Sequence, residues 1–200
     1  MLRARAGAGD DALAQEGRIN IDLSGLSGSF SLGTQWEAIA NKLWLGLSYQ
    51  APPGLYGGQT LSGTLDSWLL TAKPGNEKVQ LVNKLPDVIR WGVRYREEGK
   101  YELRLFGDYT RWSTMERQCL VKEDTTCKLG DSGLPKGPNV VNNHERRWKD
   151  AFSIRAGASY WLLPQLEGFV GLGYENTAVK AAFLEPGLID GRDVSIALGG

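Results

Sequence analysis

The chain has 200 residues, and its 23 basic and 23 acidic side chains cancel to a formal net charge of zero. This balance argues against a nucleic-acid partner, because surfaces that bind nucleic acids are strongly basic. No run of about 18 apolar residues occurs, which excludes a transmembrane helix. A transmembrane β-barrel is not excluded, since its strands need alternation over only about 9–11 residues.

The N-terminal part predicts β-strands separated by turns. Residues 1–16 are small and polar, so we expect a loop or a frayed end. Arg18–Glu37 predicts one long strand, with a β-bulge at Gly25 because its apolar positions change there from odd to even numbers. Ala38–Asn41 predicts a short turn, and Lys42–Gln50 alternates as the next strand.

The middle of the chain continues this pattern. Thr60–Asp66 alternates, and Ser67–Asn76 is predicted to be a loop. Glu77–Arg96 and Lys100–Ser113 predict a hairpin around a very short polar turn. Its first strand places apolar and basic side chains on opposite faces, because successive side chains alternate. The apolar positions are Ile89, Trp91, Val93 and Tyr95, and the basic positions are Lys84, Arg90, Arg94 and Arg96.

Residues 114–147 form a long polar stretch that we predict to be a loop on the extracellular side. Strands are then expected over Trp148–Trp161 and Leu166–Thr177, joined by a short turn at Leu162–Gln165. A loop follows, and a strand that begins at Asp193 ends with the sequence. We therefore expect an internal segment of a longer protein, for which the absence of a signal peptide means little.

The connections alternate between short and long, which is typical of an up-and-down outer-membrane barrel. Trp and Tyr also gather near the predicted strand ends, as in the aromatic girdles of membrane proteins. A soluble β protein remains the alternative, since strands of any kind are rich in aromatic residues.

Five stretches, in order and at compatible spacing, resemble the FadL-type outer-membrane transporters of long-chain fatty acids and other hydrophobic compounds. The resemblance extends roughly from Gly25 to Gly200. Its stretches are Lys42–Pro52, Leu85–Arg96, Asp108–Ser113, Arg147–Leu162 and Gly168–Val179.

The resemblance implies an all-β fold, an antiparallel up-and-down transmembrane β-barrel, present here as a segment of about seven strands. Residues 1–200 would form one incomplete barrel domain. The implied function is uptake of hydrophobic small molecules such as fatty acids by passive diffusion across the outer membrane of a Gram-negative cell. The barrel would contact outer-membrane lipid, be a monomer when full-length, and use no cofactor. A general diffusion porin and a soluble lipid-binding β-barrel remain alternatives.

The charged face of the strands would then line the lumen. A fatty-acid path needs apolar surface for the tail and a cation for the carboxylate, because an unpaired carboxylate in a dry channel is unfavourable. Inward arginines often pair with neighbouring acids instead and then only fix the wall. The aromatic candidates are Trp44, Phe106, Trp112 and Phe169, and the basic candidates are Arg90, Arg94, Arg104 and Arg155.

Residues that bear on other chemistry are few. No GxSxG nucleophile motif occurs, so we do not expect an enzyme. Cys119, Cys127 and His144 lack the spacing of a common metal site. In an oxidising compartment a local disulfide between Cys119 and Cys127 is the better expectation.

Overall fold

The computed structural model describes residues 2–5, 16–54, 58–69, 75–130, 136–184 and 190–200. Within these ranges the secondary structure is β, with only two short 3₁₀ turns, at Trp112–Thr114 and Ala181–Phe183. None of the helical segments in this part of the chain is long and apolar enough to cross a membrane. The strands form two antiparallel sheets, which belong to two compact units.

One unit contains a seven-stranded antiparallel sheet. Its strands are β3 (Ser31–Ile39), β4 (Leu43–Gln50), β7 (Val88–Glu97), β8 (Tyr101–Thr110), β11 (Ala151–Leu163), β12 (Leu166–Glu175) and β13 (Asp193–Gly199). They lie in the order β13-β12-β11-β8-β7-β4-β3. The turn between β7 and β8 is short: Lys100 N donates to Glu97 O across it, and Gly99 has a φ of +70°, which favours glycine.

The other unit contains a six-stranded sheet in the order β1-β2-β5-β6-β9-β10. Its core has two small buried clusters, one around Val79 and Leu120 and one around Val121 and Val140. The strands are β1 (Leu2–Arg5), β2 (Glu16–Ser24), β5 (Gly58–Leu69), β6 (Gly75–Lys84), β9 (Arg117–Lys122) and β10 (Val140–Glu145).

The predicted all-β, antiparallel fold class is confirmed. Both sheets are open in the described residues, as a partial barrel requires. The turns predicted before β4, between β7 and β8, and between β11 and β12 are all present. The number of barrel domains stays a prediction.

Two predicted strands are wrong because each spans a break between the two sheets. Arg18–Glu37 divides into β2 and β3, and Glu77–Arg96 divides into β6 and β7. Gly25 begins the first break, where an added Cβ would lie 2.8 Å from the carbonyl oxygen of Thr60. Pro86 lies in the second break and has no N–H to donate to a ladder.

The predicted loops also contain strands. Residues 114–147 include the β9–β10 hairpin, and residues 1–16 include β1, which pairs with β2. β5 begins two residues before the predicted Thr60–Asp66 and ends three residues after it. The parts of these loop predictions that fall on residues 6–15, 70–74, 131–135 and 185–189 lie outside the described residues.

The seven-stranded sheet has one continuous apolar face. Along the middle of the strands, Val93 pairs with Leu45 and Leu105, and Leu172 pairs with Ala156 and Ile196. Most of this face is not covered by protein. Leu105, Leu172 and Ile196 are exposed, Leu172 by 56 %, while Leu45 and Val93 are partly exposed. An uncovered apolar sheet face of this extent is typical of a wall that faces lipid.

Aromatic residues flank this apolar face at both ends. Tyr95 stacks on Tyr101 at the end with the short turns, with ring centroids 6.0 Å apart. At the other end Tyr49 and Tyr109 pair with Ile89 from either side. Ile89 and Tyr95 are six positions apart along β7, which corresponds to about 20 Å. This spacing approaches the apolar band of about 25 Å in outer-membrane barrels.

Cys119 and Cys127 form a disulfide, with Cα atoms 6.2 Å apart. Cys119 lies on β9 and is buried with Val121 and Val140. We expect the double substitution C119A/C127A to lower the free energy of unfolding of this hairpin by roughly 2–3 kcal/mol, because the short covalent ring restricts the unfolded chain. Hydrogen exchange of β9 amides in the full-length protein measures the effect.

Chemical reduction of the wild-type protein is the control for this prediction, because it breaks the same bond without changing the sequence. Reduction and C119A/C127A should accelerate exchange in β9 and β10 similarly and leave β7 and β8 unchanged. Unchanged exchange in the double variant would contradict a stabilising role.

Candidate ligand groove on the polar face

The second face of the seven-stranded sheet is polar, and its residues follow from the strand register. Arg94 pairs with Trp44 on one side and Arg104 on the other, so all three share this face. Phe106 pairs with Arg155 in the adjacent row. Seven of the eight predicted lining residues lie on this face: Trp44, Arg90, Arg94, Arg104, Phe106, Arg155 and Phe169.

Trp112 is the exception. It lies in a 3₁₀ turn after the end of β8, where its ring centroid is 5.0 Å from that of Trp148. The sequence pattern extended β8 to Ser113, but the ladder ends at Thr110. Trp112 therefore belongs to an aromatic pair beyond the strand end and does not line the polar face.

Glu102 is the centre of the charge on the polar face. Only 2 % of its side chain is exposed, and its carboxylate accepts two hydrogen bonds from Arg94, at 2.9 and 2.8 Å. Arg104 Nε also donates to it, and Arg96 Nε lies 3.9 Å away. One carboxylate therefore faces three guanidinium groups, and the cluster keeps an excess of positive charge.

Two tryptophans extend this cluster. The guanidinium carbon of Arg94 lies 5.1 Å from the ring centroid of Trp44, and that of Arg96 lies 5.9 Å from Trp161. Such distances permit cation–π attraction, which positions the arginines without neutralising them. The cluster is thus held from both sides and remains cationic.

The other two predicted arginines have polar partners of their own. Arg90 donates to Gln50 Oε1 at 3.0 Å. Arg155 forms ion pairs with Asp108 at 3.4 Å and Glu175 at 3.2 Å. The expectation that inward arginines pair with neighbouring acids therefore describes Arg155 well, whereas Glu102 does not balance its three arginines.

A groove of about 500 Å³ crosses the polar face over strands β8, β11, β12 and β13. Its floor consists of Gly157, Gly171 and Ala197, which are paired in one row. Phe106 and Phe169 form apolar walls, and Arg104 lies at one end of the row. Arg155, Glu102 and Glu167 also line the groove, so an apolar floor is bordered by charged groups of both signs. An acidic amphiphile requires apolar surface beside a cation, and Arg104 at the end of the row offers that cation.

A second, smaller depression of about 240 Å³ lies on the same face above Gly46 and Gly92. It contacts Trp44 and Arg94, and it shares Arg104 and Phe106 with the larger groove. Arg104 and Phe106 therefore separate two depressions of the same surface.

The sequence predicted Glu102 as a wall-fixing partner of Arg94 and Arg104, and both arginines donate to it. It did not predict Glu102 as a site residue, nor Trp161 or the glycine floor. Glu102 had a visible signal, because it lies on the arginine-bearing face of the hairpin, next to Arg104 at the spacing of one strand repeat. No sequence signal pointed to Gly157 and Gly171, because they become neighbours only through the register of β11 and β12.

A carboxylate outside the strands fixes the connection between β12 and β13. Asp190 Oδ2 accepts hydrogen bonds from Thr177 Oγ1 at 2.8 Å and from the amides of Ala178 and Val179, both at 2.7 Å. Burial opposes ionisation of Asp190, but these hydrogen bonds and the charge of Lys149 outweigh it and lower the pKa of Asp190 below 3.8.

The lowered pKa predicts that Asp190 stabilises this connection only while its carboxyl group is ionised. Because the folded pKa lies below the unfolded one, the stabilisation is present above the unfolded value and is lost as the pH falls through the folded value. We expect protection of the Ala178 and Val179 amides to persist at neutral pH and to be lost only in acid, as the pH falls through the lowered pKa of Asp190. Hydrogen exchange measures it. Asp190→Asn should weaken the protection of these amides at neutral pH and remove its dependence on pH. The same dependence of protection on pH in this variant would contradict the role of Asp190.

Residues 7–186 match the family described as Outer membrane protein transport protein (OMPP1/FadL/TodX). No curated protein matches the chain. Among solved structures, a FadL homologue from Pseudomonas aeruginosa is similar, with a TM-score of 0.72 and 15 % sequence identity. The similarity covers 92 % of this chain and 42 % of that one.

A second similar structure is described as the CymD monoaromatic hydrocarbon channel. It gives a TM-score of 0.55 at 15 % identity and covers 92 % of this chain and 47 % of the other. At such identities the two structures support the fold alone, and the chain spans less than half the length of either. The family match covers most of the sequence and confirms both the resemblance and the location in the outer membrane of Gram-negative bacteria. This chain belongs to the FadL/TodX family of outer-membrane proteins.

Proposed function

We propose that the seven-stranded sheet forms part of the wall of an outer-membrane channel for hydrophobic compounds. Its uncovered apolar face would contact lipid, and its polar face would line the path. The groove over Gly157 and Gly171 supports this assignment, because it offers apolar surface on the face that does not meet lipid.

We further propose that the preferred ligands are acidic amphiphiles such as long-chain fatty acids. The observation that carries this proposal is the cluster in which Glu102 faces Arg94, Arg96 and Arg104. Its excess positive charge attracts a carboxylate, and a guanidinium binds a carboxylate through paired hydrogen bonds. The phenyl rings of Phe106 and Phe169 then contact the apolar part of the ligand.

Neutral aromatic hydrocarbons are the second candidate class. One similar structure is described as a monoaromatic hydrocarbon channel, and the aromatic walls of the groove suit a flat ring. The arginine cluster contributes little to the binding of such ligands. The two classes therefore differ in whether the guanidinium groups are needed.

The orientation in the membrane is part of the proposal. The short turns, including residues 98–100, would face the periplasm. The region 114–147, with its disulfide, would face outward, where an oxidising environment maintains the bond. The full-length protein would act as a monomer, as a channel enclosed by its own strands allows.

The test is uptake of oleate and of toluene by cells that carry the full-length protein as their only such channel. We expect wild-type uptake of oleate, and a reduction of about tenfold in an R94Q/R104Q variant with toluene uptake unchanged. Equal loss of both probes would contradict the role of the arginines.

Conductance across a planar bilayer distinguishes a general porin. We expect little steady ion current, because the ligand would travel over the glycine floor and phenyl walls of the groove and not through a wide aqueous pore. A large steady current would contradict the channel for hydrophobic compounds.

A further inference from the structure

Backbone conformation and close packing do not explain why the floor of the groove consists of glycines. Gly157 and Gly171 are in regular strands and have no positive φ. An added Cβ would have ordinary contacts, at 3.7 Å from Val170 O for Gly157 and 3.6 Å from Ala197 Cβ for Gly171. Glycine inside a strand weakens the strand, so its presence at both positions requires another reason.

Gly107 on the opposite face shows the contrast. An added Cβ there would lie 2.7 Å from Ser153 O and 2.9 Å from the ring of Trp91, so close packing accounts for that glycine. At Gly157 and Gly171 the space that a side chain would occupy is instead part of the groove.

The register of the paired strands shows that the space above the glycines runs across the strands. Arg104 pairs with Gly157, Gly157 with Gly171, and Gly171 with Ala197. The row therefore runs across four strands from a guanidinium to a methyl group, a length of roughly 14 Å at the usual strand spacing. On its two sides lie Phe106 and Phe169.

We propose that Gly157 and Gly171 are specificity-determining residues, which form the floor under an acidic amphiphile that lies across the strands. Its head group binds at Arg104, and its apolar body lies over the two glycines and Ala197. The inference rests on the proposed function and adds the position and the direction of the ligand.

Cysteine labelling tests the position. The two native cysteines are bonded to each other, so an introduced thiol is the only reactive one from this chain. In the full-length protein in detergent, dodecanoate should slow maleimide labelling of G157C at least about fivefold. Labelling of G46C, in the smaller depression of the same face, should stay unchanged. Unprotected G157C, or protection of G46C alone, would overturn the proposal.

Affinity measurements test the floor and the direction. We expect Gly171→Leu to weaken dodecanoate binding about tenfold or more, whereas Gly168→Leu on the opposite face of the same strand should have no effect. Arg104→Gln should weaken binding of dodecanoate but not of dodecan-1-ol. Equal binding by wild type and Gly171→Leu, with both folded by circular dichroism, would overturn the inference alone. A wild-type protein that binds neither probe would overturn the proposed function as well.

Discussion

Replacing Leu105 by arginine is expected to destabilise the membrane-inserted protein by about 2–4 kcal/mol, the effect of a basic residue at the lipid-facing midplane of a barrel. Leu105 lies on the apolar face, between Val93 and Ala156 and halfway between Tyr101 and Tyr109. Unfolding of the full-length protein by denaturant in lipid vesicles measures the change.

Gln35→Arg is the matched control, because Gln35 lies on the polar face, opposite Gly46. The same charge should cost little there, since that face is already polar. Similar destabilisation by the two substitutions would contradict the prediction that only the face with Leu105 contacts lipid. A small effect of Leu105→Arg would show that water reaches the apolar face.

Replacing Glu102 by glutamine is expected to lower the free energy of unfolding by about 3 kcal/mol, because three guanidinium groups then lack their shared anion. The value is at the lower end for a broken buried pair, since Arg94 and Arg104 are themselves about half exposed. Glu98→Gln, in the exposed turn of the same hairpin, is the control and should change little.

A second substitution separates charge from packing. The double variant E102Q/R104Q should recover part of the lost stability, because it removes one of the mutually repelling charges. If Glu102→Gln alone matched the wild type in its denaturation midpoint, the cluster would not organise the hairpin. If the double variant were less stable than the single one, repulsion would not be the cause.

The alternation of side chains was sufficient to predict the two faces of the sheet. The β7–β8 hairpin was predicted with its turn, its apolar positions and its arginines, because a short turn fixes the register of two adjoining strands. Lys84 was wrongly placed in this hairpin, since it ends β6 in the other sheet. The same alternation hid the breaks between the two sheets. Apolar and polar side chains alternate on each side of Pro86, so the pattern did not show the break there. At Gly25 the apolar positions change from odd to even numbers because the chain passes from one sheet to the other, and not because of a bulge.

Contacts across distant strands were beyond the sequence pattern. Arg155 and Asp108 are 47 positions apart and meet only because β11 pairs with β8 in one register. The groove floor likewise depends on the pairing of β11, β12 and β13. Trp112 failed as a lining residue because the end of a strand, unlike its middle, is set by local turns that periodicity does not report.

The most direct test of the two-faced wall is a scan of single cysteines along β11 from Phe152 to Tyr160. Each carries a fluorophore, and quenchers are placed either in the lipid tails or in water. The full-length protein should show a period of two, with strong lipid quenching at Phe152, Ile154, Ala156, Ala158 and Tyr160 and weak lipid quenching at the four positions between them. Equal lipid quenching at all nine positions, or strong aqueous quenching on both faces, would contradict the account.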